Sequence, residues 1–428
     1  MRITVFGSDA RAHALCTRLT MDTVKPVVTC VPGNAGMKEP IRRKHILPAC
    51  MDNLARSVEG SCDLAIVGSD RLLAQGLSDK LRERGIPTFG PSKCASEIEW
   101  SKLFAKSLMD RYRIPTAKWG ATSDEGMARA MVKELGGPPI VLKADGLADG
   151  KGVFVADTDI EVDEAITALF TERRFGGSKT VIIEEKLSGC EVSYTALCDG
   201  RRIMPLPCAM DYKQALAGDK GPNTGGMGAH SPSFVLTPAQ CAWIDVHIMQ
   251  KVVDALASQG LEYRGALYAG LMVLPGGDIR VIEFNARFGD PECQVLMPRI
   301  GEDLAPLLLA AATGNLSPRP VRVMPGAAVC VTLASAPYPE KATPKGFVID
   351  GILAAEKIPG VHLYHAHTTR QGDASYIEAG GRVLSVCANA DSFKMALEKA
   401  YVAARTITWR DKTMRQDIGW RVLDKYTR

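Results

Sequence analysis

Between residues 281 and 292 the chain reads VIEFNARFGDPE. On an extended strand alternate residues share a face. Glu283, Asn285 and Arg287 therefore point one way, and Ile282, Phe284 and Ala286 the other. A carboxylate and an amide oxygen are hard donors suited to Mg2+, which commonly also takes nucleotide phosphates. An arginine two residues on can hold a carboxylate or stabilise a phosphoryl group in transfer. The plain alternative is an exposed polar strand face carrying a salt bridge.

A second stretch, KADGLADGKGV at 143–153, resembles a phosphate loop only in composition. A Walker loop needs G-x-x-x-x-G-K-[ST] between a strand and a helix. Here three residues separate Gly146 from Gly150, Gly152 follows Lys151, and VFVADT then reads as a strand. The segment is predicted to be a hairpin. Its glycines let backbone approach a ligand and its N–H groups can cradle phosphate oxygens; a surface hairpin is the alternative. Lys143 ends the buried strand before it and needs an anionic partner, unless it snorkels to the surface. IIEEKLSGCEVS brings Glu184, Glu185 and Glu191 to one strand end and turn. These are either solvated acids or the rim of a nucleotide site. In the second case a strand edge offers backbone groups to an adenine, and Glu191 accepts from ribose hydroxyls.

Several elements must position these groups. In the first hundred residues RITVF, DLAIVG and IPTFG read as strands, and RAHALCTRL and RLLAQGLSDKLRERG as helices, an alternation that predicts a parallel sheet covered by helices. The loop Gly7–Ala12 fits a dinucleotide fingerprint only in part, because its second glycine is missing. A helical run is expected at 161–174, a loop at GDKGPNTGGMGAHSP, a long helix at 237–259 and a helix at 302–313. Proline-rich SPRPVRVMPG opens a final segment of short strands, in which HLYHAH sets His365 and His367 on one strand face. That pair, with His362 nearby, either binds a transition metal or belongs to an ordinary strand.

Composition narrows the class. The 428 residues carry 46% hydrophobic and 23% charged side chains and a net charge of +4, as in soluble multidomain proteins. No basic block suggests a nucleic-acid partner. Twelve cysteines without a C-x-x-C pair predict reduced thiols and a cytoplasmic location. LAPLLLAAAT is about half a membrane span, so a buried helix and no membrane association are expected.

Taken in order, Lys102, Lys143 with its hairpin, Glu184 and Glu185 through Glu191, and Glu283-x-Asn285-x-Arg287 resemble the ATP-grasp ligases. PGNAG (32–36), FGP (89–91), GPNTGGMGAHSP (221–232), LYAGLM (267–272), EFNARFGDPECQ (283–294), GGRVL (380–384) and DIGWR (417–421) are similar to motifs of the glycinamide ribonucleotide synthetase family and span almost the whole chain. The resemblance implies an α/β and α+β multidomain fold. It consists of an N-terminal parallel α/β domain (1–101), a two-lobed ATP-grasp unit (102–320, mobile lobe about 118–190) and a small mixed C-terminal domain (321–428). It implies ATP-dependent ligation of glycine to 5-phosphoribosylamine in purine biosynthesis. A related ligase with another amine acceptor is the alternative.

By the same resemblance, ATP is held by Lys102, Lys143, Gly150, Lys151, Gly152, Glu184, Glu185, Leu187 and Glu191, and Mg2+ or Mn2+ by Glu283 and Asn285. Gly33, Asn34, Lys213, Asn223, Thr224, Gly225, Gly226, Pro291 and Glu292 enclose the substrates. Arg287 stabilises developing charge, and Asp211 or Asp290 takes the proton of the amine. The chain departs from the family at Gly7-Ser8-Asp9-Ala10-Arg11-Ala12-His13, where two glycines and a glutamate of the usual stretch are replaced. It also departs at Gly68-Ser69-Asp70, where Gly-Pro-Glu is usual, and at Asp211-Tyr212-Lys213, where Asp-His-Lys is usual.

Overall fold

Short apolar runs with no polar face can only be buried on both sides, and the N-terminal strands behave that way: Leu64–Val67 has no accessible residue. In the computed structural model, which describes residues 1–46, 50–146, 152–172, 179–340, 344–372 and 375–426, five parallel strands form the first sheet. Their order is Arg42–Arg43, Val27–Pro32, Arg2–Gly7, Leu64–Val67, Thr88–Phe89. The expected helix RLLAQGLSDKLRERG is two helices, Asp70–Ala74 and Leu77–Glu83. Gly76 lies between them at φ +82°, a left-handed conformation that ends the first and that glycine adopts without strain.

Two four-stranded antiparallel sheets follow. The first runs Trp119–Thr122, Val181–Glu185, Ile140–Ala144, Val153–Ala156. Its core of Ile140, Leu142, Ile183 and Ala156 packs against Ala128 and Val132 of one helix and Val162, Ala165 and Ile166 of another. The strand pair Ile140–Ala144 and Val153–Ala156 is the predicted hairpin; residues 147–151 at its tip, including Gly150 and Lys151, lie outside the described residues. The second sheet runs Ile203–Pro205, Cys190–Asp199, Arg264–Val273, Ile279–Asn285. It is covered by a continuous helical stretch from Pro238 to Ser258.

GPNTGGMGAHSP is not simply a loop. Lys220–Asn223 pairs with Gln214–Leu216, and Gly228–Ser231 joins a further sheet with Met210–Asp211, Ala327–Ser335, Arg382–Ala390 and Val361–His365. A side chain at Gly228 would run into the Cys330 carbonyl, so the strand approaches its neighbour only because that residue is glycine. This sheet unites chain from both sides of SPRPVRVMPG and is backed by the helix Phe393–Thr406.

LAPLLLAAAT is the buried helix Leu304–Thr313, and no helix among the described residues is long and apolar enough to cross a membrane. Its N-terminus is capped from a distance. The fully buried Asp22 accepts from Leu304 N at 2.9 Å and Ala305 N at 2.6 Å, and pairs with Arg18 at 2.6 Å. Replacing Asp22→Ala strands two helix-end N–H groups and removes the ion-pair partner of Arg18, which keeps its hydrogen bond to Glu302 O at 2.6 Å. A loss of about 2–3 kcal/mol is expected, read as a lower urea midpoint. An unchanged midpoint would show that the cap contributes nothing.

Candidate active site

The helix Lys102–Arg111 starts at Ser101, whose Oγ accepts from Phe104 N. Asp145, at the root of the glycine hairpin, also accepts from Leu103 N at 3.2 Å and from Ser101 Oγ at 3.2 Å. The hairpin is thus tied to the helix that carries Lys102, whose Nζ donates to Gly146 O at 3.2 Å. Burial and the like charge of Lys143 hold the Lys102 ammonium below its usual pKa, against the pull of Glu283 and Asp145.

Lys143 finds the anionic partner its burial demands. Glu184, 4% exposed, lies between Lys143 and Lys106 and forms an ion pair with each. Burial raises its carboxyl pKa, but the two ammonium groups outweigh that and hold it below the usual value. Lys106 follows Lys102 by one helical turn and also donates to Thr116 Oγ1 at 2.8 Å; sequence reasoning passed over it, although i, i+4 spacing was the available signal. Glu184 lies near the end of its strand, as expected, but that strand offers no free edge to an adenine. Its strand is an inner one, paired with Trp119–Thr122 on one side and Ile140–Ala144 on the other. Its backbone is spent in the sheet, and its side chain serves the lysines. Glu185 is paired in the same way, and its carboxylate accepts from Lys118 N at 2.9 Å. Leu187 lies past the last paired residue.

Across the gap, Glu283 and Asn285 share the strand face read from the sequence. A bulge alters the other face: Gly270 pairs with Glu283 but Leu271 with Val281, so Ile282 has no direct partner. The core side therefore passes from Ile279 and Val281 to Phe284 and Ala286, and Ile282 is only half-buried. Burial pushes the Glu283 carboxyl up, but Lys213, Lys143, Lys102 and Arg287 bring it below its usual value, so it is ionised. Arg287 donates to Asn285 Oδ1 at 2.9 Å and pairs with Glu99 at 2.7 Å. Glu99, which also accepts from Ala286 N at 2.7 Å, was not anticipated. Nothing in its local sequence marks a carboxylate that reaches 188 residues along the chain.

Lys213 lies among carboxylates: it pairs with Glu191, sits 3.5 Å from Glu283 and lies 4.0 Å from Asp211. Glu191, expected to face a ribose, is held by this lysine. Glu292, buried, accepts from Ser193 Oγ at 3.0 Å, and Ser193 also meets the Tyr268 hydroxyl at 3.1 Å. Asp211 Oδ1 is buried with no hydrogen-bond partner among the described residues. Burial raises the Asp211 carboxyl well above its usual range, with Glu292, Glu191 and Glu283 adding to the effect and Lys213 opposing it. Asp290 differs. Burial raises it, but Arg382, Arg11 and a hydrogen bond from Gln294 outweigh burial and leave it below the usual value.

Three segments close around Asp290. Arg382 donates to Gly225 O at 2.5 Å and Asp290 O at 2.8 Å, and pairs with the Asp290 carboxylate at 3.0 Å. Gly226, at φ +111°, packs on the Pro291 ring where any side chain would collide. Thr224 Oγ1 donates to Lys213 O at 2.7 Å and accepts from Gly226 N at 3.0 Å, and Gln214 reaches the Asn223 amide oxygen at 3.4 Å. Gly33 and Asn34 occupy a different seam. The Asn34 amide donates to Ser8 O at 3.0 Å and His365 O at 2.6 Å and accepts from Gly36 N at 3.1 Å, so it joins the N-terminal sheet to the C-terminal one.

The histidine-metal alternative fails. The strand ends at His365, so His367 does not share it. The buried His365 ring meets Thr368 Oγ1 at 2.9 Å and packs on Tyr376, and no cluster of three His, Cys, Asp or Glu ligands occurs among the described residues. Asp9 caps the helix Ala10–Thr20, accepting from Ala12 N at 2.8 Å and pairing with Arg11 at 2.6 Å. Its carboxylate thus fills the helix start that an anion would use.

A hairpin sheet facing a second sheet that bears Glu283 and Asn285, with Lys102 tied to the hairpin, defines an ATP-grasp protein, a fold that binds ATP with a divalent metal. The same fold occurs in the biotin carboxylase domain of a Hydrogenobacter thermophilus 2-oxoglutarate carboxylase, solved with magnesium ADP. Its TM-score is 0.68 at 17% identity, covering 96% of this chain and 91% of that one. More narrowly, profiles of phosphoribosylglycinamide synthetase match here as an N domain over 1–99, an ATP-grasp (A) domain over 100–293 and a C domain over 328–421. The chain belongs to that family. The phosphoribosylamine–glycine ligase of a Nostoc species is 40% identical over 99% of this chain and 100% of its own length. The crystal structure of the Thermotoga maritima phosphoribosylamine–glycine ligase superposes with a TM-score of 0.82 at 31% identity, over 98% of this chain and 100% of that one.

The residues fit the metal this fold uses. Glu283 and Asn285 present two hard oxygens on one face, and a small divalent cation typically takes one or two carboxylates and completes its shell with phosphate and water. The Asp211 environment yields a test. Its folded pKa is raised above the unfolded one, so the native state binds a proton that the unfolded chain has released, and stability falls as pH rises through that window. Asp211→Asn should therefore be at least as stable as wild type at neutral pH and lose that downward slope. Urea titrations across pH would measure this, and a less stable variant would contradict it.

Proposed function

We propose that this chain ligates glycine to 5-phosphoribosylamine, giving glycinamide ribonucleotide, ADP and phosphate through a glycyl phosphate, a step of de novo purine biosynthesis. What carries the reading is the pairing of a buried lysine–glutamate–lysine triad with the opposed Glu283–Asn285 face, in a chain aligned end to end with ligases of that name.

A free carboxylate acylates poorly because its leaving group is oxide. Transfer of the ATP γ-phosphoryl group to a glycine carboxylate oxygen forms an O–P bond, breaks the bond to ADP and supplies a stable leaving group. The amine nitrogen then attacks the glycyl carbon; the C–N bond forms, the C–O bond to phosphate breaks, and phosphate departs with that electron pair. Lys102 and Lys143 set positive charge beside the phosphates, and Gly150, Lys151 and Gly152 complete the set that binds ATP. Leu187 offers backbone to the adenine, with Glu185 and Glu191 bordering the nucleotide. Mg2+ or Mn2+ held by Glu283 and Asn285 would neutralise phosphate charge. Arg287, aligned by Glu99, stabilises the charge that develops during transfer.

The proton of the amine goes to a carboxylate of the substrate wall, Asp211 beside Lys213 or Asp290 beside Arg382. Lys213, Asn223, Thr224, Gly225, Gly226, Pro291 and Glu292 enclose the glycine and amine, and Gly33 and Asn34 shape the wall on the N-terminal side. One observation favours a second reading, a related ligase with another amine acceptor: Asp9 fills the helix start in the altered N-terminal loop.

Incubating the protein with ATP, Mg2+ and glycine and then adding fresh 5-phosphoribosylamine separates the two. Amine-dependent ADP release is expected; its absence, with release on another amine, would transfer the assignment. Glu283→Ala is expected to cut turnover by about a hundredfold or more while keeping the wild-type urea midpoint. Full activity in that variant would refute the metal assignment.

A further inference from the structure

After the strand Val27–Pro32 the chain turns beneath the paired strands Thr368–Gln371 and Ser375–Glu378, and a pocket of about 610 Å³ opens there. Met37 and Ile41 give it an apolar wall; its charged lining among the described residues is Lys38, Arg42, Arg43, Arg370 and Glu39. None of the four cations is explained by the steps above.

Exposed cations are ordinarily a solvated face, but two features set these apart. First, no carboxylate among the described residues pairs with Lys38, Arg42 or Arg43. Arg43 is instead oriented by donating to Asn34 O at 3.0 Å. Second, Lys38 and Arg370, which are far apart in sequence, converge on one aromatic ring. Lys38 Nζ lies 5.7 Å and the Arg370 guanidinium carbon 5.4 Å from the Tyr376 centroid, and Arg370 also reaches the Tyr376 hydroxyl at 3.4 Å. Bringing like charges together in a concave site costs energy that an anion between them offsets. The nearby helix start offers no such place, because Asp9 already caps it.

We infer that this pocket binds a phosphate dianion, free or as a monoester, gripped by Lys38, Arg42 and Arg43 from one segment and Arg370 from the other. Guanidinium groups match phosphate oxygens in pairs, and the strand carrying Arg370 spans the far side. The phosphate comes either from the 5-phosphate of the amine substrate or from a separate phosphorylated ligand. The binding itself does not depend on the ligase reading; only the first of these sources does.

The test uses the full chain. Calorimetric titration with inorganic phosphate at fixed ionic strength is compared between wild type and Lys38→Gln/Arg42→Gln. Phosphate is also a product at the nucleotide site, so both proteins are first saturated with a non-hydrolysable ATP analogue. Wild type should bind phosphate at least about tenfold more tightly than the variant, or about 1.4 kcal/mol, while Lys38→Arg retains binding and urea midpoints stay equal. A similar rise in the KM for 5-phosphoribosylamine, with ATP and glycine KM values unchanged, identifies the substrate's own phosphate. Loss of phosphate binding with that KM unchanged identifies a separate phosphorylated ligand. Equal phosphate binding by wild type and variant, or none beyond that of chloride at the same ionic strength, overturns the proposal.

Discussion

One carboxylate shared by two lysines is the constraint on which the nucleotide side of this protein depends. Burying a lone ammonium is prohibitive, and burying an ion pair is at best close to neutral. Glu184 makes the burial of Lys106 and Lys143 possible, yet one negative charge cannot balance two positive ones. With Lys102 beside the hairpin, this side of the cleft carries surplus positive charge. Such a site has its electrostatic preference for phosphate fixed before any ligand arrives, and little reorganisation is required when charge shifts during transfer.

The opposite wall inverts this arrangement. Around Lys213 the surplus is negative, with Asp211, Glu191 and Glu283 close to a single ammonium and Glu292 nearby. A cation held by Glu283 and Asn285 would relieve that repulsion and offset phosphate charge.

Much of this was legible in the residues. The alternation of Glu283, Asn285 and Arg287, the hairpin after Lys143 and the demand of Lys143 for an anion all follow from periodicity and desolvation. What escaped did so for physical reasons. The bulge at Ile282 is set by the neighbouring strand, not by its own sequence. A free edge for an adenine was read beside Glu184 because strand order is a tertiary property; a run such as VIIEE does not reveal that it has partners on both sides. The glycines of GPNTGGMG signalled a turn, whereas at Gly228 the missing side chain serves strand-to-strand approach. Glu99 and Arg382 act across separations of 188 and 92 residues, beyond the reach of local pattern.

Arg382 also bears on how the chain can be divided. It comes from the segment matched as the C domain, yet it holds the Gly225 and Asp290 carbonyls of the segment matched as the A domain. Cut loose from its last hundred residues, the central portion would lose the guanidinium that clasps the Gly225 and Asp290 segments together. The two portions therefore complete this enclosure only together.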